Sequence, residues 1–239
     1  MISVCMTSYN GMQYIQKQIE TILENLACED ELIISDDGST DGTLELVGNL
    51  MKEDTRIRLI KGPKKGVISN FENAIMAAKG DFIYLADQDD IWEPDKVAKV
   101  QRCFREQNCM VVIHDADIIN EHEKVTEKSF FTRRNSGAGV IKNIVKNTYI
   151  GCCMAFRREM LSCMLPIPKN IEMHDQWIGI IGDMMGGSYF HKEVLFHYRR
   201  HGSNVSSFEH YPVPKMIRNR VVLVIELAKR WVKTRGYKK

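Results

Sequence analysis

The chain reads as an α/β protein built on a mostly parallel sheet with helices on both faces. Two observations predict this. Short apolar runs alternate with helically spaced apolar residues four times in the first ninety residues. Polar clusters then follow the strand ends: Thr7, Tyr9 and Asn10; Asp36 and Asp37; Asp87 and Asp89. In open α/β sheets ligands bind beyond the carboxyl ends of the strands, so these clusters should converge on one edge.

Each element follows from its pattern. Ile2 to Met6 is a strand, and Asn10 is placed to cap the next helix. Ile15, Ile19, Ile22, Leu23 and Leu26 recur at helical spacing. Leu32-Ile33-Ile34 is a second buried strand, and Asp36 to Thr43 is a turn rich in capping residues. Leu44 to Met51 is a helix, and Ile57 to Ile60 is a third strand closed by Gly62-Pro63. Phe71, Ala74, Ile75 and Ala78 form a helical stripe that leads into Phe82 to Ala86, a run suited to a strand buried on both faces. Glu93-Pro94 opens another helical pattern. The second half is less regular. Met110 to Ile119 reads as a strand broken by His114-Asp115-Ala116-Asp117. Residues 120–139 read as a mobile polar segment over the site, and Gly151 to Phe156 as a strand. Arg158 to Leu161 is a short helix, His174 opens a helix to about Gly186, and Val194 to Tyr198 is a late strand.

With 239 residues the chain forms one large domain or a domain with an appendage. Its seven cysteines are odd in number and lack paired metal-ligand spacing, which points to reduced thiols and a cytoplasmic setting. Met1-Ile2-Ser3-Val4 runs straight into a strand pattern, so no leader is expected, and no apolar run approaches a membrane span. The net charge of +2 hides an asymmetry. Residues 215–239 hold nine Lys/Arg and one acid, Glu226, which leaves 24 bases against 30 acids in the body.

The chemistry is densest after Ala86, where Asp87, Asp89 and Asp90 place three carboxylates within four residues. Such charges repel one another unless something positive sits between them, and a hard cation with oxygen ligands meets that need. A solvated turn capping the next helix is the plainer alternative. No Gly-rich phosphate loop is present, so phosphates would be met by a metal.

Seven stretches in order resemble the family-two inverting glycosyltransferases of GT-A fold, most closely the bacterial rhamnosyltransferase-like subgroup. They are Met6 to Gly11, Asp36 to Asp41, Gly66 with Asn70-Phe71, Asp87 to Trp92, Gly151 to Leu161, His174 to Trp177, and Tyr198 to Asn204. The pattern departs at Ser8, where the broader family often has Pro, and at Arg200, where the subgroup commonly has Gln.

The resemblance implies a domain over residues 1–214, with a nucleotide-binding half to about 110 and an acceptor half to 214. Thr7, Tyr9 and Asn10 would surround the donor nucleoside, and Asp37 would accept the imide N–H of uracil or thymine. Gly66 and Asn70 would close the other side of the base, although Asn70 also suits a helix cap. Asp89 is the first choice as ligand to manganese or magnesium, with Asp87 supporting it or holding the ribose. His201 would be a second ligand or a diphosphate contact. Asp175 would be the general base for direct displacement with inversion. Trp177 would stack on the acceptor sugar, or else pack in the core.

The donor would be a nucleoside-diphosphate sugar such as dTDP-rhamnose or a UDP-hexose, and the acceptor a growing surface glycan, free or lipid-linked. Residues 215–239 read as a basic amphipathic helix that contacts anionic membrane at the inner face of the cell membrane, or packs on its own domain or a second copy in a homodimer. Nucleic-acid binding is not expected. The competing readings are a sugar-nucleotide-forming nucleotidyltransferase and a non-catalytic nucleotide-sugar-binding module.

Overall fold

The computed structural model describes residues 1–202, 204 and 212–235, with side chains as far as Val232 in the last helix. Of the segments singled out above, Ser203, residues 205–211 and residues 236–239 lie outside the described residues.

The first half follows the alternation. β1 (Ile2–Ser8), β2 (Glu31–Asp36), β3 (Ile57–Lys61) and β4 (Phe82–Ala86) are joined by α1 (Ile15–Leu23), α2 (Thr43–Glu53) and α3 (Val67–Ala77). β1 and β2 are buried along their whole length, as strands covered on both faces must be. α1 buries Ile15, Ile19 and Ile22, spaced so that one side meets the sheet. Asn10 does not cap α1, which begins after Tyr14. Asn10 instead takes a left-handed φ of 50°, and its side-chain oxygen accepts the Thr40 N–H at 2.9 Å.

The second half adds β5 (Ile91–Trp92), α4 (Lys96–Gln107), β6 (Val111–Ile119), β7 (Val125–Glu127), α5 (Phe130–Arg134), α6 (Val140–Val145), β8 (Met154–Arg157), α7 (Leu161–Met164), α8 (His174–Met185), β9 (Ser188–Arg199) and α9 (Val213–Arg235). The sheet order is β3-β2-β1-β4-β8-β6-β9-β5, with β7 on β6. β1 pairs parallel with β2 and β4, and β2 with β3. β8 runs antiparallel between β4 and β6, and β6 pairs parallel with β9.

Four expectations for this half are corrected. β6 is continuous, and His114 to Asp117 shift its register against β9 without breaking it. Residues 120–139 are tied down at Ser129 and Phe131: Asp115 accepts the Phe131 N–H at 2.9 Å and takes the Ser129 hydroxyl as well. The late strand is twelve residues long, because backbone pairing to β6 carries it through the polar run before Val194. Gly151–Cys153 form a 3₁₀ turn before β8 starts at Met154.

α9 lies against the domain. Leu223 and Leu227 are buried, and the Arg230 guanidinium donates to the carbonyls of Cys163, Leu165 and Pro166. The same guanidinium sits 5.2 Å from the ring of Trp177. Trp177 is fully buried and donates its indole N–H to the Met164 carbonyl at 2.9 Å. A ring without exposed surface has no face for a sugar, so Trp177 belongs to the core.

Truncating a buried tryptophan costs roughly 3–5 kcal/mol. Trp177→Ala should lower the urea midpoint accordingly, with the m-value unchanged. A loss below about 1 kcal/mol would place the ring outside the core.

Candidate functional site

The site grows from the carboxyl ends of β1, β2 and β4, which neighbour one another in the sheet. At the end of β2, Asp36 turns inward. It accepts N–H bonds from Gly38 and Ser39 at 2.9 and 2.7 Å, and hydroxyls from Ser8 and Ser39 at 2.7 and 2.6 Å. Asp37 turns the other way and accepts the N–H groups of Lys64 and Gly66 at 2.6 and 3.0 Å. Gly66 holds φ 83°, a conformation that side-chain-bearing residues rarely adopt. The pair thus divides its work: Asp36 builds the turn and Asp37 fixes the loop opposite. Asn70 is 3% exposed, its amide committed to the Ser35 hydroxyl and carbonyl, so it underlies this region from within.

Tyr9 is the exposed member of the β1 loop, at 59%. Its backbone is gripped at both ends by Gln88, whose Oε1 accepts the Tyr9 N–H at 2.8 Å and whose Nε2 donates to the Tyr9 carbonyl at 3.1 Å. This side chain binds the β1 loop to the acidic loop. Thr7 is buried just before it.

After β4 the acids separate. Asp87, Asp90 and Cys152 bring one ligand atom each within 4.8 Å of one another. Burial, with the charges of Asp89 and Asp175, pushes Asp87 up to about 7. Burial and the charges of Asp89 and Asp87 also push Asp90 well above the usual carboxylate range. Asp90 Oδ1 accepts the Arg199 N–H at 2.8 Å, whereas its buried Oδ2 has no hydrogen-bond partner among the described residues. The unsatisfied buried oxygen beside a second carboxylate fits a hard divalent cation, whereas burial keeps the Cys152 thiol protonated and a poor ligand for one.

Asp89 does not join that group. It accepts a 2.7 Å contact from His201 Nε2 and a 3.2 Å bond from Asn204. Of the three metal ligands expected from the sequence, Asp87 lies in the cluster, while Asp89 and His201 meet each other beside it. Arg199 fastens the loop. It is 2% exposed, donates through Nε to the Asp89 carbonyl at 2.8 Å, and reaches Glu123 at 2.9 Å. Behind the acids, buried Lys96 donates to the Cys152 carbonyl at 3.1 Å and lies 3.7 Å from the Trp92 ring and 4.5 Å from that of Phe196. Burial pulls its pKa down to about 8.

Asp175 stands in the first turn of α8, where the helix dipole favours negative charge. It is 7% exposed, and its Oδ1 accepts the Gln176 N–H at 2.6 Å and the Asn147 amide at 3.1 Å. Burial outweighs these bonds and raises it to about 6. Its charge is among those that push Asp87 up, so the two carboxylates lie near enough to feel each other. His174, beside it, lies flat on Phe71 at 4.1 Å with both ring nitrogens unpartnered among the described residues, and burial holds it neutral with a pKa of about 3. Gly151 permits that fit, because a Cβ there would stand 2.9 Å from His174 Nε2.

Sequence reasoning placed Asp37, Asp87, Asp89, Asp175 and His201 without knowing their partners. It counted Asp90 only as the third acid of its run, and it gave no role to Gln88, Arg199, Asn147 or Cys152.

Residues 3–165 match the model of the family described as glycosyl transferase family 2. An uncharacterized glycosyltransferase, alr2836, of Nostoc sp. (strain PCC 7120) is 27% identical over 212 residues, 85% of this chain and 66% of that protein. The putative teichuronic acid biosynthesis glycosyltransferase TuaG of Bacillus subtilis (strain 168) is 25% identical over 210 residues, 87% of this chain and 82% of that protein. The chain thus spans 66% of the Nostoc relative's length, just under two thirds. Among solved structures, S. aureus TarS 1-349 in complex with UDP-GlcNAc superposes with a TM-score of 0.73 at 16% identity, covering 96% of this chain and 69% of that one. This likeness establishes a GT-A-like fold.

Arg199→Lys keeps one charge but loses the planar fork that holds the Asp89 carbonyl and Glu123 together. Unfolding free energy should fall by about 1–3 kcal/mol. A urea titration that matches wild type would show that this fork does not hold the acidic loop.

Proposed function

The chain belongs to glycosyl transferase family 2, and on that premise we propose that it transfers a sugar from a nucleoside-diphosphate sugar to a hydroxyl of a bacterial surface glycan. The observation that carries this reading is the pairing of a buried carboxylate, Asp175, with the acids that end β4. One suits a proton acceptor and the other suits a cation and a diphosphate.

Donor recognition falls to the β1 and β2 loops. Tyr9 offers an exposed ring, with Thr7 and Asn10 beside it. Asp37, fixed by the Lys64 and Gly66 N–H groups, retains lone pairs for the imide of uracil or thymine. Asn70 shapes this pocket from below. The UDP-GlcNAc bound to TarS supports a nucleotide-sugar donor, and within that class our reading is dTDP-rhamnose or a UDP-hexose. The role of TuaG in teichuronic acid biosynthesis supports a surface-polysaccharide acceptor.

A divalent cation, manganese or magnesium, held by Asp87 with Asp89 or Asp90, would act as a Lewis acid on the departing diphosphate. His201 and Asn204 orient Asp89 for that task or for the diphosphate itself. Asp175 takes the acceptor hydroxyl proton as the oxygen forms its bond to the anomeric carbon and the carbon–diphosphate bond breaks. One displacement inverts configuration and needs no covalent sugar–enzyme intermediate. Asn147 holds the carboxylate in place. The enzyme works at the inner face of the cell membrane on a lipid-linked glycan, and the basic segment 215–239 holds it against anionic lipid there.

Asp175→Asn keeps the shape but cannot take a proton, so transfer should fall at least about a hundredfold. Donor affinity, read by calorimetry, should stay within about twofold of wild type. Because the base works only when ionised, wild-type kcat/KM should fall as pH drops through about 6 and level off above it. Matching losses of affinity and rate in the variant would give Asp175 a binding role instead.

The cation reading has its own check. Chelation should abolish turnover, and manganese or magnesium should restore it. Asp89→Ala should lose turnover even with metal restored. A rate indifferent to chelator would leave the acids without a cation.

A further inference from the structure

α9 uses only one of its faces. Toward the domain it buries Leu223 and Leu227. Away from it Ile217, Val221, Val224, Ile225 and Val232 are 54%, 52%, 46%, 47% and 74% exposed. Their spacing lines them along one outward stripe. α6 adds Ile141 at 80% and Val145 at 57%, one helical turn apart. Arg220 joins the two helices, donating to the Val145 carbonyl from Nε at 2.9 Å and Nη2 at 2.6 Å. The end of α6 therefore lies against the turn of α9 that exposes Ile217, Val221 and Val224. An apolar patch on two braced helices marks a partner surface.

The charges around it select the partner. Lys142 and Lys146 on α6 and Arg218 and Lys229 on α9 are exposed. The one acid of α9, Glu226, is turned aside to Asn170 and Lys229, at 3.2 and 2.9 Å. A second copy docked across a two-fold axis would set basic rims against each other. A surface both apolar and anionic fits without that cost.

We propose that α6 and α9 together form one docking face for an anionic phospholipid bilayer, with α6 entering beside the catalytic cleft. Asn147, which holds Asp175, lies two residues beyond α6. Lipid contact thus falls on the side of the base, where a lipid-linked acceptor would present its hydroxyl. That use of the face rests on the sugar-transfer reading, whereas the docking does not.

The test is co-sedimentation of the full chain with vesicles of phosphatidylcholine, with and without phosphatidylglycerol, at low and high salt. Wild type should bind the anionic vesicles only, and salt should weaken it. I141E/V145E on α6 and V221E/V224E on α9 should each weaken binding about tenfold or more. Melting temperature and hydrolysis of a sugar nucleotide in free solution should not change. Unaltered binding of I141E/V145E would remove α6 from the face. A wild type that ignores vesicles but sediments as a dimer, made monomeric by V221E/V224E, would overturn the lipid assignment. Vesicle binding without any sugar-nucleotide turnover would leave docking intact and sink the transfer reading.

Discussion

Negative charge gathered at the end of one buried strand is the constraint around which this molecule is arranged. Asp87, Asp89 and Asp90 leave β4 together, and Asp175 faces them from α8. Carboxylates this close cannot all ionise in a buried site without compensation. The protein supplies it from several directions. Arg199 grips the loop backbone, His201 and Asn204 meet Asp89, and Lys96 stands behind with its charge resting on aromatic rings. What remains uncompensated is Asp87 with Asp90, and the cation we propose would offset that remainder.

The first half was legible in the sequence because its signals are local. A buried parallel strand must be apolar throughout, and a helix covering it must repeat its apolar residues near every fourth position. β1, β2 and β4 have the apolar centres that burial demands, whereas β3, at the sheet edge, keeps Arg58 and Lys61. The second half hides its order in pairing instead. β9 is interrupted by the polar run His191-Lys192-Glu193 and is held by backbone bonds to β6 on both sides of it, which no side-chain pattern records. Asp115 looked like a strand breaker, yet it binds the segment that covers it.

The site shows the same division. Asp37 and Asp175 stood out as candidates because the stretches around them resemble the family's. The residues that position them did not. Gln88 reads as an unremarkable polar residue until its amide is seen gripping both ends of the Tyr9 peptide unit. Trp177 shows the opposite failure. Two residues from Asp175, it looked like a sugar platform, but residues i and i+2 of a helix point in different directions. One faces the cleft and the other the core.

The attachment of Arg199 also bears on how the chain acquires its structure. Its bonds to Asp90 and Asp89 join residues separated by 109 and 110 positions. A nascent chain emerging from the ribosome therefore carries the acids of β4 long before the guanidinium that steadies them exists. β8, which seats between β4 and β6, also arrives late. The early strands can pair as they appear, but the acidic loop must wait, and contacts so distant in sequence form slowly. Order at the centre of the cleft is then the last thing synthesis delivers, and a chain cut short before β9 holds the acids without their clasp.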